Sequence, residues 1–145
     1  MSPLVARPLV ESVTVGLLLS IAHQYRDELL TPPPAAPHPY VRAAIELIES
    51  SPHEPWTAGS LAAAVGCGLR SLQIAFRRDL DTTMMHYLEH VRLHRVRDDL
   101  QRASPDSDTV AGIAFHWGFG HLGRLAQRYR EAFGEPPSET LRRHE

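Results

Sequence analysis

One pattern, a short helix followed by a glycine turn and a second helix, occurs twice in this 145-residue chain and constrains its fold more than any other feature. The first helix and turn recur 52 positions later, and the second helix recurs 53 positions later. The matched residues are Leu61-Ala62, Gly66, Gly68, Leu72, Phe76 and Leu80 in the first copy, and Ile113-Ala114, Gly118, Gly120, Leu125, Tyr129 and Phe133 in the second. The repeat predicts two small helical units of the same design.

Apolar residues spaced three and four apart predict helices along almost the whole chain. The predicted helices cover 9–30, 40–50, 58–65, 69–80, 85–103, 109–116, 121–133 and 137–142. No alternation typical of strands occurs, so we expect an all-α fold. The run PPPAAPHP at 32–39 cannot continue a helix and predicts a semi-rigid linker. The chain is therefore divided into an N-terminal amphipathic helix within 1–31, this linker, and a domain over 40–145.

Each repeat has the form of a helix-turn-helix, in which a tight turn containing glycine joins two helices. Thr57, and either Thr109 or Asp108, are the expected N-caps of the first helices. Gly66 and Gly118 lie where the chain must reverse, and glycine tolerates the positive φ that such turns often need. The first helix-turn-helix is predicted over 57–80 and the second over 109–133, joined by the long helix 85–103.

The second helix of each repeat is expected to have one buried face and one exposed face. Its predicted buried arc consists of Leu69, Leu72, Phe76 and Leu80 in the first repeat, and of Leu122, Leu125, Tyr129 and Phe133 in the second. The opposite arcs are dominated by arginine, glutamine and serine, which can reach base edges and phosphates in a DNA major groove. Glycines before each helix allow its N-terminal amides to approach the phosphate backbone.

The candidate DNA-binding residues follow from these faces. They are Arg70, Ser71, Gln73, Ile74, Arg77 and Arg78 in the first unit, Gly123, Arg124, Gln127, Arg128 and Arg130 in the second, and Arg92 and Arg95 on the connecting helix. Arg78, Arg92 and Arg95 are assigned to phosphates. The connecting helix is about 26–28 Å long at 1.5 Å per residue. With the helix widths added, the two exposed faces are expected about 34 Å apart, which is one turn of DNA.

The charge distribution agrees with these assignments without deciding them. The net charge is −2, every basic residue is arginine, and arginines are concentrated in two windows, 60–97 and 109–130. Solvated helix faces produce similar runs of charge, so the repeat carries more weight. No nucleophile–base pair, phosphate loop or carboxylate dyad stands out, so we expect neither an enzyme nor a bound cofactor. No apolar run is long enough to span a membrane.

Residues 40–143 resemble the C-terminal DNA-binding domain of the AraC/XylS family of bacterial transcription regulators. The resemblance is carried by LAAAVGCGLRSLQIAFRRDL (61–80), YLEHVRLHRVRDDL (87–100) and VAGIAFHWGFGHLGRLAQRYREAFGEPPSETLR (110–142). It implies seven helices that form two helix-turn-helix subdomains on a linker helix. It also implies a sequence-specific regulator that reads two adjacent major-groove segments of double-stranded DNA.

Several positions depart from the family pattern, mostly in the first unit. Gly68 stands where the family usually has serine, and Asp81 and Met84 stand where it usually has glycine and proline. Ile74 and Gln127 occupy positions that commonly hold arginine. Ile74 either contacts a thymine methyl group or marks a first unit that binds DNA poorly. The second unit is the better preserved of the two.

Family members usually carry an upstream sensor or dimerisation domain, and residues 1–31 look like the last helix of such a domain. The expected partners besides DNA are therefore a second copy, through residues 9–30, and RNA polymerase. The alternative function is a truncated regulator that binds DNA weakly and titrates a full-length relative. A cytoplasmic location is expected, because no cleavage site follows VTVGLLLSIA (13–22) and the single cysteine, Cys67, fits a reducing compartment.

The histidines of the connecting helix raise one further possibility, a metal site. His86, His90 and His94 are spaced by four residues, and two such histidines on a helix can bind a transition metal. The series drifts around the helix, however, so that only adjacent pairs share a face. We expect these histidines to face solvent or phosphates and expect no metal. Trp56 and Trp117 are expected to belong to the core.

Overall fold

The computed structural model describes residues 36–143, and these residues form an all-helical structure, as predicted. The helices are α1 (Pro39–Ser50), α2 (Ala58–Val65), α3 (Leu69–Leu80), α4 (Met84–Arg102), α5 (Val110–His116), α6 (Leu122–Phe133) and α7 (Pro137–Arg142). Every predicted boundary within this range is correct to one residue. The predicted helix 9–30 and the first half of the proline-rich linker, residues 32–35, lie outside the described residues.

Threonine caps explain why three of these helices begin where they do. The Thr57 side chain accepts a hydrogen bond from Ser60 N, and Ser60 Oγ accepts one from Thr57 N, which completes a capping box at the start of α2. Thr83 caps α4 and Thr109 caps α5 through the amides of His86 and Gly112. The N-cap of α5 is therefore Thr109 rather than Asp108.

Both glycine turns have the backbone conformation that the repeat predicts. Gly66 has a φ of 74° and Gly118 has a φ of 86°, in the left-handed region that glycine enters without a steric penalty. At the same point of each repeat, the residue after this glycine donates its N–H to the preceding helix, Cys67 to Ala62 O and Phe119 to Ala114 O. The two repeats thus reverse direction by the same local geometry.

Two separate hydrophobic cores hold the two helix-turn-helix units. The first core consists of Val41, Ala44, Ile48, Leu61, Ala62, Leu72, Phe76, Met84 and Leu88, and the second of Leu93, Val96, Leu100, Ala114, Leu125, Tyr129 and Leu141. The connecting helix α4 contributes its N-terminal part to the first core and the rest to the second. Trp56 and Cys67 pack half-buried against the first core, and Trp117 against the second.

The prediction of the buried arcs was wrong at one equivalent position in each unit. Leu69 is 42% exposed and Leu122 is 39% exposed, although both were expected to be buried. Each is the first residue of its helix, and side chains of a helix point toward its N-terminus. The side chain therefore extends beyond the end of the helix, where no core residue lies beneath it.

No single helix among residues 36–143 is both long enough and apolar enough to cross a membrane; α2 and α3 meet that criterion only when counted together, and they are bent by 96°.

Candidate nucleic-acid interface

Helix α3 presents its polar face to solvent because its apolar face is occupied by the first core. Leu72 and Phe76 are fully buried. All six candidate residues of this helix, Arg70, Ser71, Gln73, Ile74, Arg77 and Arg78, are exposed. The predicted separation of a core face from a solvent face therefore holds at these positions.

Ile74 occupies the middle of this exposed face. Its side chain is 57% exposed, and at 100° per residue it projects opposite the buried Leu72 and Phe76, with Arg70 and Arg78 about 40° to either side. An apolar side chain surrounded by arginines gains nothing from burial in the isolated domain. This position makes it available to an apolar group of a ligand.

The arginines of α3 differ in how far they are already engaged. Arg78 Nε lies 2.9 Å from Asp79 Oδ1, and Asp79 Oδ2 also accepts the backbone N–H of His38 at 2.8 Å. The hydrogen bond from Arg78, followed by that from His38, lowers the pKa of Asp79. Arg77 lies 3.9 Å from Asp81 across one turn. Arg70 makes no ion pair with any residue of 36–143.

Helix α6 repeats this arrangement in the second unit. Leu125 and Tyr129 are buried, and Gly123, Arg124, Gln127, Arg128 and Arg130 are exposed. Its arginines and glutamine are likewise engaged to different degrees. Gln127 Nε2 donates to Glu131 Oε1 at 3.2 Å, and Arg128 Nε lies 3.7 Å from Glu89 Oε1 on α4. Within the described chain, Arg124 has no acidic partner.

The two candidate recognition helices share a second property, the absence of a side-chain cap. Gly68 and His121 stand at the N-cap positions of α3 and α6; glycine has no side chain, and that of His121 accepts no hydrogen bond from the first turn. The short helix α7 also lacks a side-chain cap. The first amides of a helix have no partner within the helix and, together with the helix dipole, favour an anion. The N-termini of α3 and α6 are therefore free to bind phosphate, whereas those of α2, α4 and α5 are occupied by threonine.

Thr57 was expected as an N-cap, as was Thr109 or Asp108, but the contrast between capped and uncapped helices is a signal that the sequence reasoning missed. Threonine stands before α2, α4 and α5 at positions 57, 83 and 109, and glycine or histidine stands at the equivalent positions 68 and 121. That contrast is readable from the sequence alone. Glu131 was expected on the same exposed face as Gln127, but their hydrogen bond was not predicted. The contact of Glu89 with Arg128 could not be predicted, because the two residues belong to different helices.

One candidate, Arg92, is only partly exposed and is bonded within the fold. Its Nε donates to Pro52 O at 2.6 Å and its Nη2 donates to Glu54 O at 2.7 Å. Burial lowers the pKa of Arg92 from its ordinary value. A guanidinium bound to two carbonyl groups in this way is committed to the fold, so we remove Arg92 from the proposed DNA contacts. Arg95, which makes only a 3.4 Å contact to Glu49 O, stays exposed and available.

The histidines of α4 contact one another and the end of α6. The rings of His90 and His94 are 4.5 Å apart, and His94 lies edge-on to Phe133 at 5.1 Å. Burial, followed by the charge of His90, lowers the pKa of His94. In the described part of the chain, no three histidine, cysteine or acidic side chains are grouped so that they could hold a metal ion.

Comparison with known proteins gives a family match and relatives. A family described as a helix-turn-helix domain matches residues 61–143. The chain is 43% identical over 140 residues to the probable thc operon regulatory protein of Rhodococcus erythropolis. The aligned region covers 97% of this chain and 42% of that protein. It is 33% identical over 107 residues to XylDLEGF operon transcriptional activator 2 of Pseudomonas putida, covering 74% of this chain and 68% of that protein.

Solved structures are similar over the same region. A probable AraC family transcriptional regulator from Rhodopseudomonas palustris CGA009 superposes with a TM-score of 0.67 at 37% identity, over 73% of this chain and 97% of that one. An AraC-type DNA-binding regulator from Chromobacterium violaceum superposes with a TM-score of 0.64 at 29% identity, over 71% and 89% of the two chains. This chain spans 42% of the length of the Rhodococcus protein it matches.

Proposed function

We propose how this protein reads DNA, starting from one premise. The chain belongs to the AraC/XylS family of helix-turn-helix regulators and is a DNA-binding transcription regulator. In our proposal α3 and α6 enter two successive major-groove segments on one side of a DNA duplex. The connecting helix α4 holds them apart by about one helical turn. A monomer then reads two boxes of a single operator.

One observation supports this proposal more than any other. The two uncapped 12-residue helices, α3 and α6, occupy the same place in their repeats, and both present arginine-bearing faces to solvent. Neither feature stabilises the isolated domain, since a free helix N-terminus forgoes the stabilisation that a cap provides. Both features become favourable beside DNA, because backbone amides and arginines bind phosphates and arginine also reads guanine.

The exposed residues divide into two groups by what they can do chemically. We assign base edges to Arg70, Gln73, Ile74, Arg124 and Gln127, and the phosphate backbone to Ser71, Arg77, Arg78, Arg95, Arg128 and Arg130 together with the first amides of α3 and α6. Gly123 lies in the first turn of α6, and nothing lies within 4 Å of a Cβ built there. We assign it the role of leaving room for the DNA backbone.

The test is a salt titration of DNA binding by fluorescence anisotropy. The full chain is titrated into a fluorescein-labelled duplex carrying sequences selected from random DNA, at several salt concentrations, with unlabelled random duplex as competitor. A regulator of this kind gives a steep linear fall of log K with log salt and a large excess of specific over random affinity. No binding to any selected duplex at low ionic strength would refute the proposal.

Several finer expectations stay predictions. These are a second copy bound through residues 9–30, contact with RNA polymerase, a cytoplasmic location and the absence of enzymatic activity. The relatives are transcription regulators by description, which implies a protein that is not an enzyme. The alternative of a titrating interaction module depends on residues 9–30, which lie outside the described range, so we do not propose it.

A further inference from the structure

The two helix-turn-helix units share one continuous helix, and the change from one core to the other takes place within a short part of it. Leu88 is the last fully buried residue of the first core on α4, Val91 packs partly buried against the same core, and Leu93 is the first residue of the second core. If α4 were the only connection, bending it between these residues would turn one unit relative to the other. Any additional bond across this point therefore affects how rigidly the two recognition helices are held.

Arg92 lies at this point and binds the first unit. Its Nε and Nη2 donate to the carbonyl oxygens of Pro52 and Glu54, at 2.6 Å and 2.7 Å. Both carbonyls belong to the loop between α1 and α2, about 40 residues earlier in the chain. Hydrogen bonds from a charged donor are roughly twice as strong as those between neutral groups. Two of them from one planar guanidinium fix its orientation as well as its position.

The same guanidinium packs against the second unit. A Cβ built at Gly118, the turn glycine of the second helix-turn-helix, would lie 3.0 Å from Nη1 and 3.1 Å from Cζ of Arg92. The guanidinium thus occupies the space beside Gly118 that a side chain would need, and a larger residue there would force Arg92 to shift. Arg92 is held between the loop of one unit and the turn of the other.

A second contact joins the same two segments. His53, in the loop between α1 and α2, lies edge-on to the ring of Trp117, with centroids 6.4 Å apart. Trp117 immediately precedes Gly118, and its Nε1 donates to Asp99 Oδ2 at 2.7 Å, which fixes the indole on α4. The loop of the first unit and the segment leading into the turn of the second therefore also contact each other directly through these two rings.

We propose that Arg92 is a positioning residue that fixes the orientation of the two units and thereby selects one spacing between the two DNA boxes. The proposal rests on the function proposed above. Lysine cannot replace arginine here, because a single ammonium lacks the planar pair of donors that binds both carbonyls. Loss of the guanidinium leaves α4 as the main tether, so that the units turn relative to each other and the permitted spacings broaden.

We call Arg92, bound to the carbonyl groups of Pro52 and Glu54 and packed beside Gly118, the clamp. A measurement without DNA tests whether the clamp fixes the two units relative to each other. Residual dipolar couplings of the 15N-labelled full chain, aligned in a stretched neutral gel, report whether the two units share one alignment tensor. We expect a common tensor in the wild type and in Arg102→Ala, an exposed arginine at the end of the same helix. We expect separate tensors in Arg92→Ala and Arg92→Lys. A common tensor in either folded Arg92 variant would overturn the proposal.

Selection from a pool of random duplexes tests the consequence for DNA. The wild type, Arg102→Ala, Arg92→Lys and Arg92→Ala are each used to enrich duplexes from the same pool at the same ionic strength. We expect one box spacing for the first two proteins, and the same two boxes at several spacings for the Arg92 variants. An unchanged single spacing in Arg92→Lys, or enrichment of only one box by the wild type, contradicts the proposal.

The two experiments separate failure of the clamp from failure of the proposed function. If the wild type enriches no sequence although its two units share one tensor, the function fails and the clamp stands. If the wild type enriches two boxes and the Arg92 variants keep both the tensor and the spacing, the clamp fails and the function stands. Should Arg92→Ala not fold, Arg92→Lys, which keeps the charge and most of the side-chain length, decides the result.

Discussion

Ile74 is the residue at which this chain departs most clearly from a purely polar recognition surface. Its side chain is 57% exposed on α3, where the family commonly has arginine. The position does not serve the core, whose buried residues on this helix are Leu72 and Phe76, with Ala75 and Leu80 packed partly buried against it. In a major groove, the one apolar group on a base edge is the methyl group of thymine. Ile74 is therefore suited to thymine in the first box.

The first prediction concerns DNA that lacks this methyl group. Replacing the contacted thymine with uracil should weaken binding of the wild type by about 0.8 kcal/mol, the value of one buried methylene-sized group. Ile74→Ala should bind more weakly and lose this discrimination, because its short side chain no longer reaches the methyl. Competition anisotropy with paired thymine and uracil duplexes measures both effects, and a uracil outside the box is the control. Equal discrimination by Ile74→Ala would contradict the assignment.

Asp81 carries local backbone strain at the end of α3. Among residues 36–143 it is the one non-glycine residue with positive φ, at 52°, and its side chain is 99% exposed with only a 3.9 Å approach to Arg77. The family usually has glycine at this position, and the backbone conformation of Asp81 supplies the reason. The residue ends the helix in the left-handed conformation, in which a side chain is unfavourable.

The second prediction follows from this strain. Asp81→Gly should raise the free energy of unfolding by about 0.5–1 kcal/mol, since relief of the left-handed backbone exceeds the weak ion pair and the extra entropy of the unfolded glycine. Asp81→Ala, which keeps the strain and loses the short polar side chain, should not stabilise the domain. Urea denaturation followed by circular dichroism measures both variants. A less stable Asp81→Gly would show that Asp81 makes a contact worth more than the strain.

At the scale of single helices, α7 is attached to α6 by a buried chain of hydroxyl groups. Tyr129 OH lies 2.7 Å from Thr140 Oγ1, and Thr140 in turn donates to Glu135 Oε1 at 2.7 Å. Tyr129 is fully buried and Thr140 is 3% exposed. Burial raises the pKa of Tyr129, so its hydroxyl stays protonated and needs an acceptor. Since Thr140 uses its proton toward Glu135, it is that acceptor.

In the third prediction, a substitution at Thr140 removes these hydrogen bonds with little change in side-chain volume. Thr140→Val should lower the free energy of unfolding by about 1–3 kcal/mol, because the Tyr129 hydroxyl is left buried without a partner. Thr140→Ser keeps the hydroxyl and should lose clearly less. Urea denaturation with an unchanged m-value measures the difference. Equal losses for valine and serine would assign the effect to the lost methyl packing instead of the hydrogen bond.

The fourth prediction concerns the exposed face of α6. Arg124 is exposed, follows the free N-terminus of the helix by two residues, and has no acidic partner in the described range. Arg124→Ala should cost about 1–3 kcal/mol of binding to the selected duplex and relax the sequence preference at one position. Arg102→Ala removes the same charge at the end of α4 and is the control. A loss of only a few tenths of a kcal/mol would remove Arg124 from the interface.

The helices were predictable from the sequence because their signals are local. Apolar spacing, threonine caps and turn glycines all act within a few residues, so the predicted helix ends agree with the structure to one residue. The exposure of Leu69 and Leu122 could not be obtained from a helical wheel, because a wheel does not show which part of a helix lies over the core. The hydrogen bonds of Arg92 could not be predicted for a similar reason: its partners are carbonyl groups about 40 residues away.

At the scale of the whole molecule, the decisive quantity is the distance between the two recognition helices. Each helix-turn-helix has its own core, and the 19-residue helix α4 is common to both. Because it rises about 1.5 Å per residue, it spans about 28 Å. The sequence predicts this length well, but not the relative rotation of the two units, which depends on contacts such as those of Arg92, His53 and Trp117 that join distant parts of the chain.

The fifth prediction uses this fixed reach to separate a monomer with two recognition helices from a dimer. Five base pairs inserted between the boxes turn the second box to the opposite side of the duplex, so both arrangements lose affinity. Ten base pairs restore the side but separate the boxes by a further ~34 Å, beyond the reach of α4. A monomer should therefore bind both insertions at least about tenfold more weakly, a loss of ~1.4 kcal/mol.

A dimer joined through residues 9–30 could place one subunit on each box and would regain affinity at ten base pairs. Anisotropy titrations at one salt concentration compare the two insertions with a duplex lengthened by ten base pairs outside the boxes, which should bind like the parent. Light scattering of the complex gives the number of chains bound. If affinity recovers at ten base pairs and two chains are bound to the duplex, one monomer does not bind both boxes. Each box is then bound by a separate chain.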